Sequence, residues 1–190
     1  IYLDNQPLIP RVETEFWVER AIVEIKMSAV VQPNLGGASQ TPRILDLCAG
    51  SGCIGVAVAN AIHDAQVDFG ELSKRLIPTI EKNCVENQID SGRFNIYPSN
   101  LFQSIPTDNK FDFILSNPPY IDPAIDRATE SVKSHEPHLA LYGGTNGLEV
   151  IEQLITSAAD YLSSNGQLWI EHEPEQVAGI AKIAEEHGFA

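Results

Sequence analysis

Residues 44–62, ILDLCAGSGCIGVAVANAI, restrict the possible folds more than any other stretch. A short, mostly apolar run reads as a buried strand. It meets Gly50-Ser51-Gly52, and the apolar residues beyond continue as a helix. The same alternation then repeats. AQVDFG is a second strand, and SKRLIPTIEKNCVENQ an amphipathic helix with Pro78 in its first turn or kinking it. FNIYPSN and FDFILSN are the third and fourth strands. NGLEVIEQLITSAADYLSSNG predicts a long helix with Asn165-Gly166 as its stop, followed by a fifth strand, QLWIEHE, and a final helix, EQVAGIAKIAEEHG. Strands alternating with helices imply an α/β fold, a mostly parallel sheet with helices on both faces. Ahead of this core, Phe16, Trp17, Ala21, Ile22 and Ile25 recur at helical spacing. The expected organisation is one domain over residues 1–190: a leading segment and first helix (1–31), a polar linker QPNLGGASQTPR (32–43) and the core (44–190).

Composition narrows the partners. The chain carries a net charge of -14, which repels phosphate backbones and disfavours nucleic acid. No apolar run is long enough to span a membrane. Cys48, Cys53 and Cys84 show no pairing framework, as expected of reduced thiols in an intracellular protein. The absence of an initiator Met and the ending EEHGFA read as a fragment cut at both ends.

Ligands of open parallel sheets bind at the carboxyl ends of the strands. Gly50-Ser51-Gly52 lies at such an end, where glycines let a ligand approach the backbone, although a tight strand–helix turn would use them too. No Lys-Ser/Thr follows, which excludes a phosphate-cradling P-loop. Glu71, just past VDFG, is placed to accept hydrogen bonds from two ribose hydroxyls; Asp68 competes but lies within the strand. Asp46 would sit beneath the loop, meeting the positive end of a ligand or orienting the backbone. This half of the site suits S-adenosylmethionine or a dinucleotide. The stretch ILSNPPYIDP separates them. Two prolines end the fourth strand abruptly, and Asn117 before them is pushed to extended geometry. A rigid corner then offers an amide, a free carbonyl and an aromatic ring, which fits gripping a flat amide or amine; a structural turn is the competing reading.

In order along the chain, LIPRVETE (8–15), ILDLCAGSGCI, FDFILSNPPYI and HEPHLALYGGTNGL resemble the HemK-type protein-(glutamine-N5) methyltransferases, the release factor glutamine methyltransferases. Asn-Pro-Pro-Tyr alone is shared with adenine-N6 and other amino methyltransferases; its combination with Pro-Arg-x-Glu-Thr-Glu is narrower and marks the bacterial and mitochondrial branch. The resemblance implies a Rossmann-like class I methyltransferase fold, S-adenosyl-L-methionine as cofactor, and methylation of the Gly-Gly-Gln glutamine of a peptide chain release factor. It assigns Asp46, Cys48, Ala49, Gly50, Ser51, Gly52, Glu71, Asn100, Leu101 and Asn117 to the cofactor. It assigns Asn117, Pro118, Pro119 and Tyr120 to the target amide, with Asn117, Pro118 and Tyr120 catalytic. Four positions depart from the family. Cys48 replaces the first loop glycine, which a small side chain tolerates if φ stays negative; Val12 replaces a proline, Glu71 an aspartate and Asn100 an aspartate. The family's helical N-terminal domain and its last strands are missing, in keeping with a fragment.

In such a site the Asn117 oxygen and the Pro118 carbonyl each accept one N–H of the target, holding its nitrogen towards the methyl group. Tyr120 packs on the flat amide, and no strong general base is needed. The expected protein is a monomer without a membrane partner, mitochondrial rather than cytoplasmic by its linker and motif. Two other readings stand beside it. One is an amino methyltransferase of adenine or guanine, which a basic channel beside Tyr120 would favour. The other is a non-catalytic, cofactor-binding partner subunit. Glu136, beside His135 and His138, reads as a structural or substrate-loop residue rather than a metal ligand. Glu171, His172 and Glu173 are expected to line the far edge of the sheet, and Arg11 either to order the leading loop or to contact substrate.

Overall fold

The computed structural model describes residues 1–31, 41–125 and 129–189, so most of the linker at 32–43 lies outside the described residues. Five strands, β1 (Arg43–Leu47), β2 (Gln66–Glu71), β3 (Phe94–Pro98), β4 (Phe111–Ser116) and β5 (Leu162–Ile170), form one sheet in the order β3-β2-β1-β4-β5. All four pairings are parallel, as the alternating pattern requires. α1 (Val12–Val31) precedes the sheet, the crossovers carry α2 (Cys53–Ala61), α3 (Ile77–Glu86), α4 (Glu130–His135) and α5 (Glu149–Ala158), and α6 (Val177–Glu186) follows β5. β1 is the central strand and alternates between two cores. Ile44 packs with Val18, Ala21, Ile25, Ile54 and Ile80 of α1, α2 and α3. Leu45 and Leu47 pack on the other face with Leu154 and Ala158 of α5.

Three predicted boundaries move. Pro78 stands in the first turn of α3, so the helix begins at Ile77 rather than at Ser73. α5 ends at Ala158, well before Asn165-Gly166. The helical spacing is overridden at Tyr161, whose ring stacks on Phe102 with centroids 4.5 Å apart and whose carbonyl takes the Phe111 N–H at 2.8 Å. β5 therefore starts at Leu162, and the register jumps from Phe111↔Leu162 to Phe113↔Gln167. Asn165-Gly166 belongs to that irregularity, where a side chain at 166 would lie 2.9 Å from the Phe111 carbonyl. In α1, Val18 takes the core place expected for Phe16, which is 61% exposed beneath the Arg20 guanidinium.

Candidate active site

Each strand delivers one wall residue at the carboxyl edge of the sheet. Cys48 follows β1, Glu71 ends β2, Asn100 follows β3, Asn117 follows β4 and Glu171 follows β5. The pairing Ser116↔Ile170 places Asn117 beside Glu171. Two cavities open along this edge. The first, about 460 Å³, is walled by Cys48, Gly50, Glu71, Asn100, Leu101, Asn117 and Pro119 among others. The second, about 560 Å³, holds Tyr120, Asp122, Glu171, Glu173 and Glu175. Asn117, with Leu8 and Ala140, lines both.

In the first cavity the Glu71 carboxylate accepts the Gly50 N–H at 2.8 Å and the Ser73 N–H at 2.7 Å, which fixes its direction at the strand end. Burial raises its pKa, against the lowering effect of those two bonds. Asp68 is spoken for within the sheet, bonded to Asn95 at 2.8 Å and to Arg43 at 3.3 Å. Asp46 is fully buried beneath the loop and accepts the Gly55 N–H at 2.8 Å, so it orients the start of α2; its carboxyl is pushed well up by burial. Asp46, Ala49, Ser51 and Gly52 do not line the cavity. Cys48 departs from expectation: its φ is +61°, not negative. The chain must turn sharply there, because the next N–H, from Ala49, reaches across to the Gly70 carbonyl at 3.1 Å. Burial pushes the Cys48 thiol up to about 12 and the Cys53 thiol up to about 11, so neither is a thiolate nucleophile near neutrality. Gly50 has φ +58°, and a Cβ there would meet nothing within 4 Å. Its backbone therefore faces open space beside a ring of hydrogen-bonding groups, a cradle that fits a nucleoside with a carboxylate at its ribose end.

The corner at 117–120 is held from several sides. Pro118 is buried and lines neither cavity. The Tyr120 carbonyl accepts Gln176 Nε2 at 2.8 Å, and Ile121 bridges to Tyr142. Gly147, φ +68°, packs so closely that a Cβ would lie 2.0 Å from the Tyr120 carbonyl. The YGGTNGL motif thus exists to let the backbone abut this corner. The Tyr120 hydroxyl donates to Glu171 at 3.0 Å, and burial followed by the Glu171 charge raises its pKa, so it keeps its proton.

Glu171 is the residue that sequence reasoning misplaced. It does not merely line a far edge. It is buried and takes the Thr14 hydroxyl at 2.6 Å and the Trp17 indole N–H at 2.8 Å in addition to Tyr120. A carboxylate directly after the strand next to the Asn-Pro-Pro-Tyr strand was the signal for it. Arg11 orders the leading loop: its Nη2 pairs with both carboxylate oxygens of the buried Glu136, at 2.6 and 2.8 Å. Asn83, wholly buried, ties the leading segment to the glycine loop through the Tyr2 and Ser51 carbonyls at 2.9 and 2.8 Å.

Known proteins share this plan. The release factor glutamine methyltransferase of Rhodopirellula baltica is 37% identical over 99% of this chain and 61% of its own length, and that of Leptospira interrogans 35% identical over 91% and 57%. The chain thus spans about three fifths of these curated relatives. The ribosomal protein uL3 glutamine methyltransferase of Bordetella pertussis is 36% identical over 70% of the chain and 44% of its own length. The hMettl16 catalytic domain, solved with an RNA hairpin, superposes with a TM-score of 0.68 at 16% identity, over 99% of this chain and 66% of that one, which shows the fold alone. The model of the methyltransferase small domain family matches residues 27–136, more than half of the chain. On that match, and with this parallel sheet and the walls at its carboxyl edge, the chain belongs to the methyltransferase small domain family.

Proposed function

We propose that the protein uses S-adenosylmethionine to methylate the side-chain amide of glutamine in a translation release factor. The observation that carries this reading is Asn117 in the shared wall of the two cavities, where a methyl donor on one side meets an amide on the other. When bound, the cofactor supplies a methyl group already activated by its sulfonium. Glu71 receives the ribose hydroxyls, and Asn100 and Leu101 stand at the adenine end. The Asn117 oxygen accepts one N–H of the target amide and turns its nitrogen towards the methyl, while Pro118, buried outside both cavities, stiffens the corner that carries Asn117. Alignment of this kind lowers barriers by up to about 7–11 kcal/mol.

The cavity beside Tyr120 favours a protein substrate over nucleic acid. Its wall carries Asp122, Glu171, Glu173 and Glu175, while its Arg11 is engaged by Glu136. A phosphate backbone would be repelled there. A release factor is favoured over ribosomal protein uL3 because the two release factor enzymes match 99% and 91% of the chain and the uL3 enzyme of Bordetella 70%. The relatives named are bacterial, which lends no support to a mitochondrial compartment; no described helix is long and apolar enough to cross a membrane.

The test is methyl transfer from labelled S-adenosylmethionine to a purified release factor, beside its Gln→Ala variant in Gly-Gly-Gln. Label on the normal factor alone is expected. Glu71→Ala should abolish cofactor binding by calorimetry. Binding without transfer to either factor would remove the substrate assignment and favour the non-catalytic subunit.

A further inference from the structure

We propose that Thr14 and Glu171 are positioning residues that decide which end of the Asn117 amide faces the substrate, an inference that rests on the amide-methylation reading above. A primary amide has two ends of nearly equal shape and opposite hydrogen-bonding sense. Only the oxygen can accept an N–H of the target. Turned by half a rotation, Asn117 would set its own N–H groups against those of the substrate, donor against donor.

The hydrogen-bond order around Thr14 selects one rotamer. Thr14 has a single hydroxyl proton, and it goes to Glu171 Oε2 at 2.6 Å. A carboxylate only accepts, so this direction is not reversible. The other partners of Glu171 reinforce it. The Trp17 indole can only donate, at 2.8 Å, and the Tyr120 hydroxyl donates to Oε1 at 3.0 Å. The Thr14 oxygen is left as an acceptor, and Asn117 Nδ2 lies 3.3 Å from it. Asn117 therefore turns its NH2 group to Thr14 and its oxygen away. Thr14 is 4% exposed and Glu171 9%, so water does not compete for these roles. The relay joins a residue of α1, the corner after β4 and the end of β5. The signal for it in the sequence is the threonine of Arg-x-Glu-Thr-Glu, set apart from the corner by 103 residues.

Three variants of the full-length protein test this: Thr14→Val, Thr14→Ser and Glu171→Gln. Valine keeps the shape and loses the hydroxyl, and serine restores the hydroxyl. Glutamine keeps the bulk of Glu171 and has to present its oxygen to Thr14, because the Trp17 N–H on the same Oε2 excludes an NH2 group there; its NH2 falls to the Tyr120 hydroxyl, which can turn to accept, so the orientation of Asn117 is kept without the charge. Thr14→Val should lower kcat about 10- to 100-fold, with the S-adenosylmethionine Kd unchanged within about twofold, and Thr14→Ser and Glu171→Gln should stay within about threefold of the parent. A second readout needs no turnover. The Asn117 side-chain NH2 resonances, identified by their loss in Asn117→Asp, should shift in Thr14→Val and hold their place in Thr14→Ser. Unmoved resonances in Thr14→Val, or a serine variant as slow as the valine one, would overturn the relay. If the parent protein transfers no methyl to a release factor, the substrate reading fails, and the resonances still decide the orientation of Asn117.

Discussion

Replacing Cys48 by glycine and, separately, by alanine measures the strain in the cofactor loop. At φ +61° a residue with a Cβ crowds the following carbonyl, at a cost of about 1–2 kcal/mol. Both variants lose the thiol, so the packing of sulfur cancels in their comparison. Both leave the charge of the loop unchanged, since the thiol titrates at about 12. Alanine retains the Cβ and the strain, whereas glycine removes it. Against this, glycine loses about 0.5–1 kcal/mol more than alanine through the entropy of its unfolded chain. The balance favours glycine by about 0.5–1 kcal/mol, the reverse of the order at an ordinary position. In a chain of this size that is a Tm difference of about 1–4 °C. Urea unfolding followed through Trp17 and Trp169, which pack against the core, reads it directly if the m-values agree. An alanine variant equal to or more stable than the glycine one would refute the strain argument.

Two further perturbations test the scaffold. Arg11→Met leaves the buried Glu136 carboxylate without its partner and should cost about 1–3 kcal/mol, reduced from the fully buried case because the Arg11 side chain is 33% exposed; Glu136→Gln in the same chain should recover about half, and additivity of the two losses in a double-mutant cycle would dismiss the pair. Asp46→Asn should change the pH dependence of stability. Burial raises the native pKa of Asp46, so its protonated form stabilises the fold below the ordinary value near about 4, and that contribution is lost as pH rises through the raised pKa. Asparagine still accepts the Gly55 N–H, so its advantage over aspartate should grow with pH, and a difference that stays constant from pH 4 to 8 would rule this out.

What could be read from the sequence was whatever its neighbours in the chain determine. The glycine turn after β1, Glu71 at the end of β2 and the stiff corner after β4 each follow from a few adjacent residues, and the alternation of strands and helices fixes on which edge they gather. What escaped depends on partners far away. Glu171 meets Tyr120, Trp17 and Thr14 across 51, 154 and 157 residues, and Arg11 meets Glu136 across 125. The stop at Asn165-Gly166 was misread for the same reason. Local chemistry marked a turn there, but the stacking of Tyr161 on Phe102 had already committed the chain to the sheet. The sign of φ at Cys48 was likewise set by a bond from the following residue to the neighbouring strand, which no property of cysteine foretells.

The two prolines of the corner explain why its supports are scattered over the whole chain. Each removes a backbone N–H, so the segment cannot be pinned by a ladder as β4 is. Its stiffness is internal, but its position has to come from its carbonyls and side chains. The Tyr120 carbonyl is taken by Gln176 at the start of α6, with Gly147 closing on the same atom. The Tyr120 hydroxyl is taken by Glu171 and the Asn117 amide by Thr14. Arg11, three residues before Thr14, anchors its stretch of chain to Glu136, which forms part of the first cavity. The widely spaced motifs PRVETE, HEPHLAL, YGGTNGL and the glutamate after LWI are therefore one device. They hold in place a rigid corner that has given up the means to hold itself.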